Sequence, residues 1–341
     1  MATQDKRPMG SLSLDLDNLW SYLKIHGDPA WKDRPSYLPE FVPYMLDVLD
    51  RAGLKITFFV VGIDAEDPVN AESLRAIVAR GHEIGNHSFE HEPWLSQYSD
   101  QALTDELDRT DKAIKSVTGI QPIGFRGPGF SWSPRLLELL QARGYRYDAS
   151  ILPTWLGPIA RTYYFWTSGL NKEERKRRKD LFGHFTDARR PNKPFRWSFE
   201  TGPNLLEIPV TTIPLFRTPF HFSYLAFLAR YSKHLMRAYL AIAIVACKMT
   251  RTAPSFLLHP LDVIGGDQAP ALKFFPGMEL SSEHKTALLL EVLNTLSKHF
   301  KLEPMSVHAA HCRGQENIRE YLSQAGRVPA RTSKSDPAVE A

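Results

Sequence analysis

An α/β fold built on a parallel sheet is what the order of patterns in this 341-residue chain predicts. Three observations carry it. Short apolar runs, rich in β-branched and aromatic residues, alternate with segments of helical period along most of the chain. The intervening segments are long enough to be crossovers between parallel strands. Acids, an arginine and histidines fall at the ends of successive runs, where parallel α/β folds gather functional groups. Seven or eight such units suggest a closed β/α barrel, with an open doubly wound sheet as the alternative. No repeat of fixed period is visible.

The elements follow in order. SLSLDLD (11–17) reads as a buried strand ending in acids. In PEFVPYMLDVLDRAG (39–53), Val42, Met45, Leu46 and Leu49 form a helical stripe and Gly53 supplies the stop. KITFFVVG (55–62) is a second strand, AESLRAIVARG (71–81) a helix and HEIGNHS (82–88) a third strand. A long helix over 99–119 has Ser99 as its cap. PIGFRGPG (122–129) is a strand entering a Gly/Pro loop, followed by a helix over 133–144 and a strand over 145–152. LLEIPV (205–210) and SFLLHPLD (255–262) are later strands. Leu289, Val292, Leu293 and Leu296 mark a helix over 281–299, and KLEPMSVHA (301–309) reads as a closing strand. Two segments break the rhythm: an insertion at 153–204 and a long apolar, basic-studded helical stretch at 215–249. The expectation is one domain over 1–312 and a mobile polar tail over 313–341.

Composition excludes several classes. Hydrophobic residues are 43% and charged residues 23%, enough for a sizeable core. A net charge of +4 is too mild for nucleic-acid binding, and no helix-turn-helix or zinc-finger spacing occurs. Of the two cysteines, Cys247 reads as a buried small residue and Cys312 as a surface thiol, with no disulfide framework. The first ten residues lack an apolar h-region, which points to a cytoplasmic protein.

The chemistry sits at the strand ends. Asp15 and Asp17 close the first strand, His87 and His91 follow the third, Arg126 ends the fourth, Asp148 lies in the fifth and His259 ends a late one. Two imidazoles four residues apart would share one face of a helical turn and grip one metal. An aspartate from another strand adds an oxygen ligand. Two histidines and one carboxylate leave positions open, the pattern of a catalytic zinc site. Zinc suits these ligands first; cobalt, nickel, manganese or iron also fit them. Two acids at alternate positions of a core strand are hard to justify without partners.

SLSLDLD, NHSFEH, FRGPG and LLHPLD, in that order, resemble the motifs of the polysaccharide deacetylase (NodB-homology) family of carbohydrate esterases over roughly residues 11–310. The resemblance implies a distorted (β/α) barrel of about seven parallel strands and metal-dependent hydrolysis of an N-acyl amide, usually on an amino sugar. By position it makes Asp15 the general base and Asp17, His87 and His91 the metal ligands. Arg126 would orient the base, and His259 would be the general acid. The first motif is D-L-D where many members have adjacent acids, as in a subgroup with an interposed residue. The acidic partner of His259 is open between Asp148 and Glu207, and a backbone N–H near Phe130 is the expected oxyanion donor.

The expected reaction removes acetyl or formyl from an amino sugar of a polysaccharide or lipid-linked precursor. A non-sugar amide or cyclic imide is the alternative substrate, and a silent carbohydrate-binding protein the alternative class. If the substrate is lipid-linked and reached at a membrane, the insertion would cap the groove, with Trp155, Tyr163, Tyr164 and Trp166 able to stack on sugar rings. The basic, aromatic 215–249 stretch suits peripheral contact with an anionic membrane at its inner face, with a barrel helix of wide apolar face as the plainer reading. The RKRRK run at 175–179 reads first as a solvated helix face. His26, His82 and His184 carry no assigned role; surface placement is the first reading of His26 and His221, with a place lining the substrate groove as the alternative.

Overall fold

The computed structural model of the chain describes residues 5–157, 188–315 and 317–323. Tyr163, Tyr164, Trp166, His184 and the 175–179 run lie outside them, as does the tail from 324. Among the described residues ten strands form one sheet. They are Met9–Asp15 (β1), Thr57–Val60 (β2), Glu83–Asn86 (β3), Gly124–Phe125 (β4), Tyr147–Asp148 (β5), Phe195–Ser198 (β6), Leu205–Glu207 (β7), Ser255–Leu258 (β8), Lys301–Glu303 (β9) and Glu320–Leu322 (β10). The order is β10-β6-β7-β5-β4-β3-β2-β1-β8, with β9 on β1, and only the β6–β7 pair is antiparallel. Just past β7, the Thr211 N–H donates to the Ser255 carbonyl at the start of β8 (3.0 Å). That bond joins the two ends of a seven-strand parallel wall, β1-β2-β3-β4-β5-β7-β8. The result is a distorted (β/α) barrel rather than an open sheet.

Among the described residues ten α-helices surround or plug it: Leu19–His26 (α1), Leu38–Ala52 (α2), Gly62–Glu66 (α3), Ala71–Ala79 (α4), Asp100–Thr118 (α5), Pro134–Ala142 (α6), Phe222–Tyr231 (α7), Lys233–Thr250 (α8), Ser282–His299 (α9) and Met305–Arg313 (α10). The α2 stripe of Val42, Met45, Leu46 and Leu49 is buried, and Gly53 closes the helix at φ 66°. Ser99 caps α5 by accepting from the Ala102 N–H.

The period-2 alternation of β1 sorts its two faces. Leu12, Leu14 and Leu16 pack outward into the main core with α2 and α9. Ser11, Ser13 and Asp15 turn to the bore. Phe59, Tyr147, Leu206, Ile208 and Met305 fill that bore. Each large apolar side chain so buried contributes roughly 1.5–3 kcal/mol.

Three expected elements differ. The closing strand ends at Glu303, because Pro304 starts helix α10, whose Met305 enters the bore and donates its N–H to Thr57 Oγ1 (2.8 Å). The 215–249 stretch is two helices, interrupted at Ser232, whose hydroxyl caps α8. The described part of the polar tail includes an edge strand, β10, paired with β6 inside the expected insertion. Cys312 is buried like Cys247, so neither is a surface thiol.

Candidate active site

Register places the functional groups in one layer. Leu14 pairs with Leu258, Asp15 with Phe59, Val60 with Asn86, and Asn86 with Phe125. One or two residues beyond that line, His259, Asp17, His87 and Arg126 leave their strands at the same end of the barrel. His259, Asp17 and His87 line a cavity of about 290 Å³ together with Asp15 and His91, and Arg126 is buried behind Asp15.

His87, His91 and Asp17 converge. Their ligand atoms lie within 4.8 Å of one another, and all three side chains are buried. Asp17 Oδ1 is 2.9 Å from His91 Nε2 and 3.6 Å from His87 Nε2, yet it accepts no hydrogen bond. The three atoms therefore face a common point rather than one another, which is what a divalent cation needs. His87 Nδ1 lies 2.6 Å from the Arg126 carbonyl. A carbonyl only accepts, so Nδ1 carries the proton and the Nε2 lone pair points to that point. Burial would raise the Asp17 carboxyl, but the imidazoles of His91 and His87 facing it hold it well below the usual range.

The histidine pair does not sit on a helical turn. Residues 87–91 form a loop in which Ser88 (φ 61°) and His91 (φ 55°) are left-handed. Such conformations cost L-residues roughly 1–2 kcal/mol each. α5 and β3 hold them: Glu106 Oε2 accepts from the N–H groups of Phe89 (2.6 Å) and Glu90 (3.1 Å), and Asn86 Oδ1 from Ser88 (2.8 Å). Glu106→Ala is expected to leave the buried Phe89 N–H and the part-buried Glu90 N–H without their acceptor. Metal affinity should fall about 10- to 100-fold through the loosened His91, with melting temperature lowered too. Zinc titration with a competing chelator reads this, and unchanged affinity removes Glu106 from the support.

Asp15 lies between Arg126 and His259. Arg126 is completely buried and donates through Nη1 to Asp15 Oδ1 (2.6 Å) and Ser13 Oγ (2.9 Å), and through Nε to the Ala149 carbonyl (3.1 Å). Its guanidinium stacks on Phe59 at 4.3 Å. The next residue is tightly placed: a Cβ on Gly127 would meet the Ser131 carbonyl at 1.9 Å. His259 Nε2 stands 4.0 Å from Asp15 Oδ2.

The acid behind His259 is neither Asp148 nor Glu207. It is Asp262, whose Oδ2 lies 3.8 Å from His259 Nδ1 and accepts the His259 N–H (2.8 Å), while Oδ1 accepts from Ser223 Oγ (2.6 Å). The His-x-x-Asp spacing within LLHPLD was the available signal. Burial alone would lower the His259 pKa; the hydrogen bond and charge of Asp262, with Asp15, raise it to about 9. Asp148 and Glu207 instead form a fully buried pair between β5 and β7. Glu207 accepts from the Ile151 N–H (3.1 Å) and the Trp197 indole (3.0 Å). Burial and then the Asp148 charge push its pKa well up.

Other expectations shift as well. The Phe130 N–H donates to the Gly127 carbonyl (3.0 Å), so it is engaged in a turn and is not a standing oxyanion donor. His221 is buried, lines the cavity and packs edge-on to His259 at 6.0 Å between ring centroids. Burial, then the charge on His259, push its pKa down to about 4, and its buried Nδ1 has no partner. No sequence pattern pointed to it. Trp155 donates its indole N–H to the Phe216 carbonyl (2.9 Å) and does not line the cavity; Trp94, Phe130, Leu152 and Tyr224 supply its apolar walls.

Residues 29–147 match the polysaccharide deacetylase family model, a span holding His87, His91 and Arg126 but not Asp15, Asp17 or His259. Peptidoglycan deacetylase-like protein FGM2 of Gibberella zeae is 35% identical over 123 residues, covering 35% of this chain and 34% of that protein. The peptidoglycan deacetylase of Helicobacter pylori is 32% identical over 151 residues, 43% of this chain and 50% of that protein. The chain thus spans a third to a half of these relatives' lengths. A crystal structure of a Mycobacterium smegmatis protein, provisionally named a polysaccharide deacetylase, superposes with a TM-score of 0.56 at 20% identity over 97% of both chains. That likeness carries the barrel fold.

Proposed function

We propose that this chain, which carries a polysaccharide deacetylase domain, hydrolyses the N-acetyl group of an amino sugar in a glycan, using one divalent ion, zinc by preference. The observation that carries the reading is the single layer holding a candidate triad (Asp17, His87, His91), base (Asp15) and acid (His259) around one cavity. A binding protein has no use for base and acid together, so this set favours the enzyme. The two relatives named for peptidoglycan make an N-acetylated cell-wall glycan the first substrate to try.

Asp17, His87 and His91 would hold the ion, which supplies Lewis-acid polarisation of the scissile carbonyl and the attacking water when bound. Asp15 takes the proton of the water as its oxygen bonds to the acyl carbon. Arg126 keeps Asp15 oriented through the 2.6 Å ion pair and gives it no route to rotate away. His259 then protonates the nitrogen as the C–N bond breaks, releasing acetate and the free amine. Trp94 and Tyr224 offer faces for a sugar ring, and the neutral His221 offers Nδ1 to a hydroxyl.

The test is acetate release from chitin oligosaccharides and peptidoglycan fragments. Chelator-stripped protein is expected to lose turnover, and added zinc to restore it. Turnover that survives stripping, or no acetate from any N-acetylated glycan with zinc present, would sink the reading.

A further inference from the structure

A larger groove, of about 720 Å³, opens at the other end of the barrel. Met9 at the start of β1, Ala253 before β8 and Phe300 before β9 line it, whereas the catalytic cavity lies at the far ends of these parallel strands. Lys193, Arg217, Lys248, Arg251 and Arg319 all line the groove, and no Asp or Glu does among its described residues. Of these five cationic side chains only Lys248 has a partner among the described residues, His299 Nδ1 at 2.9 Å. Nη1 of Arg217 is buried with no hydrogen-bond partner. Unpaired like charges repel, and a buried guanidinium N–H without an acceptor is costly. One multivalent oxyanion relieves both, and guanidinium forks match phosphate oxygens.

The border of the groove indicates what carries the phosphate. Leu215 lines it and is 79% exposed, and Phe216 beside it is 61% exposed. Helix α8 ends in the groove, through Lys248 and Thr250. Its outer side shows Leu235, Ile242, Val245 and Met249, each about half exposed or more. Their spacings of seven, three and four put them in one stripe. The stripe runs out at Met249, between two groove-lining residues. From residue 208 to 261 the chain has six Lys or Arg and no acid, although Arg230 and Arg237 pair with Glu279 and Glu291. Exposed apolar side chains beside unpaired cations suit an anionic bilayer surface. No described helix is long and apolar enough to cross a membrane, so the contact is peripheral.

We propose that the groove and the α8 stripe form a docking site for anionic phospholipid, the headgroup phosphate in the groove and the stripe in the interfacial layer. The site shares no lining residue with the catalytic cavity and does not depend on the reaction assigned to it. The test is co-sedimentation of the full chain with vesicles of phosphatidylcholine alone or mixed equally with phosphatidylglycerol. Wild type is expected on the mixed vesicles only. Lys193→Glu with Arg251→Glu should weaken binding by about tenfold or more. Val245→Ser with Met249→Ser should weaken it too, while glycerol 1-phosphate binding by the soluble protein persists. Melting temperature confirms that each variant folds. Absent vesicle binding, or binding unchanged by charge reversal, overturns the proposal. Unchanged vesicle binding by the Val245/Met249 variant, fully competed by glycerol phosphate, would make the groove a free-phosphate site instead. A wild-type dimer that the same variant splits would make the stripe a contact between copies.

Discussion

Asp15→Asn is expected to lower kcat/KM for an N-acetylated glycan by about three orders of magnitude, the middle of the range for a positioned general base. The substitution keeps shape and removes basicity. Asp15 is not among the three groups that converge for a metal, so zinc content should stay near wild type. Its structural cost is real but smaller than its catalytic one. Arg126 is wholly buried, and truncating the partner of a buried ion pair costs roughly 3–5 kcal/mol. An amide oxygen still accepts from Nη1, and Ser13 Oγ and the Ala149 carbonyl remain, so the loss should be only part of that. Metal content, melting temperature and rate on the same preparation separate the outcomes. Lost rate with metal and fold retained is the expected result. Retained rate would remove Asp15 as the base and leave Arg126–Asp15 as a structural pair.

That prediction rests on residues whose position was legible in the chain. Asp15 sits two beyond Ser13 and Asp17 two beyond Asp15, so one strand period sends all three to the same face. Leu12, Leu14 and Leu16 mark the opposite face without ambiguity. Arg126 and His259 were legible for a similar reason: each directly follows an apolar run that register then aligns. What failed was anything set by contacts across the chain. A helical turn was the natural guess for His87 and His91, but Glu106 on α5, fifteen residues downstream of His91, pins the loop amides and forces left-handed backbone at Ser88 and His91. Asp148 and Glu207 are acids at strand positions like that of Asp15, yet β5 and β7 are neighbours, so the two acids face each other and burial raises the pKa of both. Periodicity cannot say which strands will be adjacent. His221 reaches the cavity from the loop before α7, and no spacing announces that. The strand expected at 301–309 failed locally, at Pro304, where a missing N–H and fixed φ suit a helix start better than a strand interior.

Asp262→Asn carries the second large effect, and its signature is a displaced pH limb rather than a uniform loss. His259 must be protonated to give the leaving amine its proton. An ordinary histidine, near 6.5, would be mostly neutral at pH 7.5. Here the folded state holds the imidazolium to about 9, against burial, because Asp262 and Asp15 face it. The sign follows from the direction of that shift. A raised folded pKa means that the proton stabilises the fold fully below the unfolded value near 6.5, and the contribution is lost as pH rises through about 9. Activity should share that alkaline limit, falling at or somewhat below pH 9, since a divalent cation in the same cavity repels the imidazolium. Removing the Asp262 charge leaves burial to dominate, so the limb should move down by at least one pH unit, by about 1.4 kcal/mol of lost differential interaction per unit. At low pH the variant should recover much of the wild-type rate; above the new limb it should approach His259→Ala, about 100-fold or more below wild type. A purely structural Asp262, which caps the turn after β8 through the His259 N–H, would lower the rate equally at every pH and leave the limb in place. The pH profile of kcat/KM for wild type and Asp262→Asn, measured with zinc saturating, therefore decides whether Asp262 sets the acid or merely the turn.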